Sequence, residues 1–432
     1  MDTAKNNLFA KFLIVWFGQL ISNIGSGLTA FTLGVFVYQK THSATSYALI
    51  ILFSFLPSLL LKPVGGVLAD RFDRRLMMII GDLGSALGLL FILGFTISGN
   101  LAVWQIYAGA AISSIFAAFQ NPAYKASVSD FLTEEMYARA SGLMQLASSS
   151  QYLVSPVISG ILFSLMDIEY ILMIDISTFL IAVLAVFWVR KSLTPTQRPQ
   201  EKQHFLSEMK EGLLAITDSR GIVVLITLTS VLCFYIGFLQ TLIGPMLLNL
   251  ISPKGFGIAQ SICATGLLVS SLLIGIFGGT KHHVRTLSLF LALVGLFYTL
   301  IGVSTNIYII VISGFLFFFA LAFVQTSLEV LIRQNVDNEK QGRVWSLISV
   351  VTQLGYPLAY GFAGILADYI FTPLLMNHGA LASTVGRIIG TGQGRGIGFM
   401  FILFGILVVI LAAITIRLKS VRSLEQGKAS VI

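Results

Sequence analysis

Residues 66–75 read Gly-Val-Leu-Ala-Asp-Arg-Phe-Asp-Arg-Arg and join two long apolar runs. A glycine permits two helices to approach closely, and a carboxylate ends the first run. The clustered arginines can pair across a short loop, and such bonds can act as a gate. A short basic loop between apolar runs predicts two antiparallel membrane helices with a cytoplasmic connection.

Apolar runs of this kind recur along the whole chain. Of its 432 residues 56% are hydrophobic and 11% are charged, whereas a soluble protein has roughly one quarter charged residues. A helix needs about 20 apolar residues to cross the hydrocarbon core, and twelve such runs can be placed in this chain. We therefore expect an all-α integral membrane protein with 12 transmembrane helices. The composition excludes a disordered chain and an outer-membrane barrel.

The basic residues are distributed unevenly over the predicted loops. With both termini in the cytoplasm, the external segments hold only four cations, Lys40, Lys254, Arg387 and Arg395. This asymmetry follows the positive-inside rule, so we expect cytoplasmic termini. The net charge of +8 then reflects topology and contact with the lipid bilayer, and nucleic acid is not an expected partner.

Polar stretches and a weak internal repeat suggest how the chain is divided. Ser155-Pro156 and Tyr356-Pro357 occupy corresponding spans, and a Gly-Ile-Leu sequence follows each of them. Repeats of this kind form two pseudo-symmetric six-helix bundles around a midplane site in transporters. We expect four segments: an N-terminal bundle (1–190), a cytoplasmic linker with a short amphipathic helix (191–220), a C-terminal bundle (221–418) and a cytoplasmic tail (419–432).

The segment 66–75 resembles the G-x-L-A-D-R-x-G-R-R signature of the major facilitator superfamily. The resemblance implies the major-facilitator fold and transport by alternating access. In that family the motif stabilises the outward-facing state. The resemblance implies this gating role for the matching residues, which are Gly66, Asp70, Arg71, Arg74 and Arg75. Asp73 stands where the family usually has glycine.

Span 5 more loosely resembles the family's antiporter signature. The residues at its spacings are Gly142, Gln151, Ser155, Pro156, Ser159 and Gly160, so three of the signature's glycines are replaced. Because Pro156 removes one helical hydrogen bond, we expect a kink at this point. An ordinary packing kink remains an alternative to a functional bend.

Three further stretches resemble the exporters of macrolide-efflux type and related siderophore exporters. They are Trp16-Phe-Gly-Gln19, Tyr38-Gln-Lys-Thr-His-Ser-Ala44 and Asn121-Pro-Ala-Tyr124. The resemblance implies a drug:proton antiporter. Close relatives of that branch also carry lysophospholipids.

In the major-facilitator arrangement, spans 1, 4, 7 and 10 line the substrate cavity. The candidate cavity residues on these spans are Gln19, Asn23, Gln120, Asn121, Tyr235, Gln240, Gln325 and Thr326. Neutral amides and hydroxyls in a chain with 33 Phe suit bulky, partly apolar cargo. Hydrogen bonding between helices is the alternative role for each of them.

Ionisable residues within membrane spans are costly and are therefore functional candidates. Lys62 and Asp82 reach a similar depth on consecutive antiparallel spans, so we predict an ion pair and favour structural pairing over proton coupling. Asp175 is a candidate proton carrier, with helix capping as the alternative. Glu329 precedes Arg333 by four residues, the spacing of a same-helix ion pair.

Motifs for enzymatic or cofactor chemistry are not recognised in the sequence. The glycine-rich segment 390–398 follows no predicted strand, so we interpret it as a flexible external connector and not as a nucleotide loop. The histidines map to loops without further ligands, so we expect neither metal nor cofactor. The proton gradient would supply the energy, and we do not expect an enzyme.

The sequence thus predicts a multi-pass exporter of the bacterial cytoplasmic membrane that works as a monomer. Its cargo would be a small amphipathic substrate such as an antibiotic, a siderophore or a related metabolite. Two alternatives remain, a lysophospholipid transporter and a membrane sensor or assembly factor that does not move cargo.

Overall fold

The computed structural model describes residues 2–190, 219–277, 280, 282–336 and 341–426, and the regular elements in these ranges are helices. The predicted amphipathic linker helix falls on residues 191–218 and thus lies outside the described residues, as do residues 427–432 of the predicted tail.

Seven helices precede the linker, with a short 3-10 turn between the fourth and fifth. They are α1 (Asp2–Thr41), α2 (Ala44–Arg71), α3 (Arg74–Ile97), α4 (Val103–Phe131), α5 (Tyr137–Leu153), α6 (Ser155–Leu165) and α7 (Ile168–Arg190). The helices after the linker are α8 (Arg220–Leu248), α9 (Pro253–Phe277), α10 (His283–Val303), α11 (Ile307–Asn335), α12 (Gln341–Gln353), α13 (Gly355–Ile365), α14 (Thr372–Leu375), α15 (Val385–Ile389), α16 (Arg395–Arg417) and α17 (Lys419–Gln426).

In the described part of the chain, 11 helical segments are long and apolar enough to cross a membrane. The predicted fourth span, α4, is not among them although it is a continuous helix of 29 residues. Gln105, Gln120, Asn121 and Lys125 lower its apolar content. A helix that is polar at these positions can be accommodated in a bilayer where its neighbours cover the polar side chains.

Two predicted spans are divided at a proline-containing segment. Span 5 breaks at Val154 into α5 and α6, and Pro156 is the second residue of α6. Span 11 breaks at Leu354 into α12 and α13, after which Leu366–Phe371 forms a π-helical turn. Proline has no N–H and is tolerated in the first turn of a helix, which explains why each new helix starts just before one.

The chain consists of two compact units. The first comprises Met1–Glu201 with Ser252–Ser261, and the second comprises Lys202–Ile251 with Ile262–Ile432. In the first unit, α4 packs against both α2 and α3, and α7 packs against α1 and α3. In the second unit, α10 packs against α11 and α16, and α8 packs against α13.

Two buried apolar clusters form the core of the first unit. The members of one cluster include Val15, Met78 and Ala123, and those of the other include Ala86 and Ile106. Asp82 lies between Met78 and Ala86 on α3, so a polar layer separates the two clusters.

Candidate functional site

A buried chain of three polar side chains joins α3, α1 and α4. Gln19 Nε2 donates to Asp82 Oδ2 at 3.0 Å, and Gln120 Nε2 donates to Gln19 Oε1 at 2.6 Å. Asp82, Gln19 and Gln120 are 2%, 3% and 7% exposed. We call this set the Asp82 network. It brings together one predicted coupling residue and two predicted cavity residues.

A glycine on α3 makes the network possible. An added Cβ at Gly81 would lie 2.5 Å from Gln120 Cβ, so only glycine allows α3 and α4 to approach this closely. Close approach through small residues is a common way for membrane helices to associate. The neighbour of Asp82 in sequence therefore sets the position of Gln120.

The predicted ion pair between Lys62 and Asp82 is absent, and this prediction was wrong. Lys62 is exposed, whereas Asp82 is buried and accepts a hydrogen bond from the neutral amide of Gln19. The prediction assumed that the consecutive helices α2 and α3 pack together. Instead each of them packs mainly on α4, which lies between them.

Asp175 lies at a second buried polar position, between α7 and α1. It is 1% exposed, and Thr178 Oγ1 donates to its backbone oxygen at 2.7 Å and to its Oδ1 at 3.2 Å. An added Cβ at Gly25 would lie 2.5 Å from Asp175 Oδ1. This carboxyl is thus held within the packed contact of two helices and bonds within its own helix, and its role as a proton carrier stays a prediction.

The other predicted cavity residues are more scattered. Gln240 is exposed and its Oε1 accepts from Tyr360 Oη at 2.8 Å, a contact within the second unit. Asn121 is exposed and donates to Ala117 O of its own helix at 3.2 Å. Of the remaining four, Gln325 is exposed and three are half-buried, namely Asn23, Tyr235 and Thr326.

An aromatic cluster of the second unit was not predicted. The rings of Phe234 and Phe238 lie 4.8 Å apart, and Phe404 contacts both Tyr235 and Phe238 at 5.4 and 4.8 Å. The ring of Tyr360 lies 6.0 Å from that of Tyr356, in a tilted arrangement. The aromatic residues of spans 7, 11 and 12 could have indicated such a cluster, but the sequence alone does not predict which rings contact each other.

Glu329 does not form the predicted ion pair with Arg333. Both side chains are exposed on α11, and among the described residues no salt bridge within 4.0 Å joins them. Long exposed side chains lose rotamer freedom in such a pair, so a favourable spacing alone does not form it.

In the loop at 66–75, Arg74 makes several polar contacts. Its Nη1 donates to Asp130 Oδ1 at 3.0 Å, to Ser129 Oγ at 3.1 Å and to Ala126 O at 2.8 Å. Its Nη2 lies 3.6 Å from Asp70 Oδ1. Arg74 thus ties the end of α2 and the start of α3 to the end of α4. Arg71 and Asp70 are exposed, and their predicted gating role stays a prediction.

Asp73, the departure from the family pattern, has two partners in the structure. Its Oδ1 accepts from the backbone N of Arg75 at 3.0 Å and so caps α3. Its Oδ2 accepts from Arg190 Nε at 2.9 Å at the end of α7. Arg75 is buried with its guanidinium 5.5 Å from the centre of the Phe131 ring. An aspartate therefore supports this loop where the family has glycine.

The close helix approach in this region involves Gly65 and not Gly66. An added Cβ at Gly65 would lie 2.1 Å from Ala118 O, whereas one at Gly66 would meet nothing within 4 Å. Adjacent residues on a helix point about 100° apart, so the two glycines face different directions. Gly65 faces α4, although Gly66 is the glycine of the motif.

The span 5 residues have different roles. Ser155 Oγ and Ser159 Oγ donate to the α1 carbonyls of Ile24 at 2.9 Å and Leu28 at 3.0 Å. An added Cβ at Gly160 would lie 2.8 Å from Pro253 O, within the first unit. Gly142 is exposed with open space around it. The hydroxyl bonds thus hold the bent part of span 5 against α1, and Gly142 takes no part.

The glycine-rich segment 390–398 is more ordered in its packing than a flexible connector. Gly390, Gly392 and Gly394 have φ of 89°, 110° and 83°, a region that favours glycine. Arg395 then starts α16, is 4% exposed, and donates to the carbonyls of Gly302, Val303 and Ser304 at 2.9, 3.0 and 3.2 Å. A buried arginine at the carboxyl end of α10 satisfies carbonyls that the helix leaves unpaired.

These features together describe a helical membrane protein with a buried carboxyl network and a charged loop, as in a transporter. The sequence matches the Major Facilitator Superfamily over residues 15–249. Since this is more than half of the chain, the protein belongs to the Major Facilitator Superfamily, as its loop motif predicted.

Relatives and solved structures cover most of the chain. Macrolide efflux protein A of Streptococcus pyogenes is 26% identical over 97% of this chain and 98% of its own. Macrolide efflux protein A of Enterococcus faecalis is 27% identical over 71% of this chain and 96% of its own. A bacterial homologue of the human lysosomal transporter Spinster, solved inward-facing and unoccupied, has a TM-score of 0.71 at 13% identity, covering 99% of this chain and 98% of its own.

Proposed function

We propose that the protein is a proton-coupled exporter of macrolide-like, amphipathic small molecules in a bacterial cytoplasmic membrane. The end-to-end similarity to macrolide efflux proteins carries this proposal, because both relatives align over nearly their full length. The lysophospholipid and sensor alternatives gain no support from these relatives.

The Asp82 network supports proton coupling. An ionised carboxylate with no cationic partner is costly within a membrane protein, and taking up a proton removes that charge. In the described residues no cation lies within 4.0 Å of Asp82, and its partner is the amide of Gln19. Proton uptake and release at Asp82 would change the hydrogen bond that it accepts from Gln19 of α1, which in turn accepts one from Gln120 of α4.

Coupling requires that this change favours one state of the transporter. A ligand shifts an equilibrium only through unequal affinity for its states. Gln19 and Gln120 lie on the helices expected to line the cavity, so they connect the proton site to the cargo site. The half-buried rings of Tyr235 and Phe404, which pack near the buried Phe238, offer apolar surface for a macrolide.

The test is transport by the full-length protein in liposomes with an acidic lumen. We expect accumulation of radiolabelled erythromycin that is lost when the gradient is collapsed. Asp82→Asn should abolish gradient-driven accumulation but retain erythromycin exchange without a gradient. Asp167→Asn is the matched control, since Asp167 is an exposed loop residue, and it should transport normally.

Two results would contradict the proposal in different ways. Failure of the unmodified protein to move any macrolide would reject the cargo class. Full gradient-driven transport by Asp82→Asn, together with its loss in Asp175→Asn, would place the proton site at Asp175.

A further inference from the structure

An apolar groove runs along the outside of α1 and α7 in the first unit. It has a volume of about 420 Å³, and its lining includes Ile14, Trp16, Phe17, Gly18, Ile181 and Ala185. A cleft of this volume is of ligand size. The side chains of the lining are apolar, apart from the indole N–H of Trp16.

Two contacts fix the shape of this groove. Trp16 Nε1 donates to Leu143 O at 2.6 Å. This hydrogen bond satisfies the indole N–H and fixes the ring as one side of the groove. An added Cβ at Gly18 would lie 3.0 Å from Ala185 Cβ, so these small residues let α1 and α7 approach closely at the bottom of the groove. The groove is therefore built by the contact of α1 with α5 and α7.

The groove opens away from the Asp82 network. Phe17 is 56% exposed, and Gln19 lies two residues further along α1. Two residues correspond to a rotation of about 200° around a helix, so the two side chains point in nearly opposite directions. The groove is thus separate from the proposed proton site.

One cation, Lys11, lies at the predicted cytoplasmic end of the groove. Gly18 meets Ala182 and Ala185, and Gly25 meets Asp175 and Thr178, so α1 and α7 run antiparallel. Lys11 therefore lies at the depth of the end of α7, near Arg190. Arg190 itself points away from the groove, since it is rotated by about 140° from Ala185 and binds Asp73. Lys11 and Gly18 are seven residues apart and share a helix face.

Lys11 has capacity for an anion. It is half-buried and forms no ion pair within 4.0 Å with any described residue. Trp188, close to Arg190 on α7, is 64% exposed, as is typical of tryptophan at a membrane interface.

We propose that the groove holds one acyl chain of an anionic phospholipid of the cytoplasmic leaflet, with its headgroup phosphate against Lys11. The apolar lining would contact the acyl chain, and the positive charge of Lys11 would favour the anionic headgroup. This inference does not depend on the cargo or on proton coupling.

The test uses the fluorescence of Trp16 as a reporter inside the groove. The chain has four tryptophans, so Trp104, Trp188 and Trp345 are replaced by phenylalanine in the full-length protein. The protein is reconstituted in phosphatidylcholine liposomes that contain a brominated lipid, either phosphatidylglycerol or phosphatidylcholine. We expect brominated phosphatidylglycerol to quench Trp16 at about fivefold lower mole fraction, from the attraction of one basic residue at the surface.

Variants separate the headgroup from the acyl chain. Lys11→Gln should remove the preference for phosphatidylglycerol, and Lys11→Arg should keep it. Ala185→Phe should fill the groove and reduce quenching by both lipids, whereas Leu180→Phe, on another exposed part of α7, should not. Equal quenching by the two lipids in the parent protein, or an unchanged preference in Lys11→Gln, would overturn the proposal. Unchanged quenching in Ala185→Phe would also reject the groove as the site.

Discussion

At the scale of single residues, the environment of a charged side chain decides its role more than its position in the sequence does. Lys62 and Asp82 have matching depths along their helices but do not meet, whereas Asp73 and Arg190 are far apart in sequence and form an ion pair at 2.9 Å. Asp73 also caps α3. The residue that departs from the family pattern is therefore a structural element of this protein's loop.

Asp73→Ala tests this role. The loss of a helix cap costs about 1 kcal/mol of unfolding free energy, and the loss of a partly exposed ion pair costs up to about 1 kcal/mol more. We expect a lower temperature of thermal unfolding in detergent, followed by intrinsic fluorescence.

Asp70→Ala is the control for this measurement, since the Asp70 side chain is 77% exposed and 3.6 Å from Arg74. It should unfold near the temperature of the parent protein. Equal unfolding temperatures for Asp73→Ala and the parent protein would show that the cap and the ion pair contribute little.

At the scale of helices, glycines decide which elements pack together. Gly65 places α2 against Ala118 of α4, and Gly81 places α3 against Gln120 of the same helix. As a result α4, the least apolar of the predicted spans, is covered on two sides. This explains how it can carry Gln120 in a buried position.

A pair of neighbouring substitutions tests the packing of α2. An alanine at Gly65 would place its Cβ 2.1 Å from the Ala118 backbone oxygen, so α2 and α4 would have to separate. We expect Gly65→Ala to lower the unfolding free energy by about 1–3 kcal/mol, as overpacking does. Gly66→Ala meets open space and should stabilise the helix by about 0.5–1 kcal/mol.

The measurement is again thermal unfolding of the two purified variants in the same detergent. If Gly66→Ala were the more destabilised of the two, the close approach would lie at the motif glycine and the packing described for Gly65 would be wrong.

At the scale of the whole molecule, the distribution of basic residues predicts the orientation in the membrane. Two of the four cations assigned to the outside bind backbone carbonyls at helix ends: Lys40 donates to Leu101 O, and Arg395 donates to the last carbonyls of α10. External cations that are used in this way have a structural reason to depart from the positive-inside distribution.

Cysteine labelling in intact cells tests the orientation. With Cys233 and Cys263 replaced by serine, a single cysteine is introduced at Asn100 or at Thr133, which are exposed in consecutive loops. A membrane-impermeant maleimide should label Asn100→Cys in intact cells, and Thr133→Cys only after the cells are permeabilised. The reverse pattern would place both termini outside.

The amino-acid sequence by itself determined the helical membrane class, the superfamily and the candidate polar residues of the first unit. These properties depend on the length of apolar runs, on composition and on a local motif, all of which are readable along the chain. Only the tertiary structure decided which of those residues meet. The partners of Gln19 are 63 and 101 residues away, and their meeting depends on α4 packing between α2 and α3, an arrangement set by close contacts at Gly65 and Gly81 and not by the order of the helices.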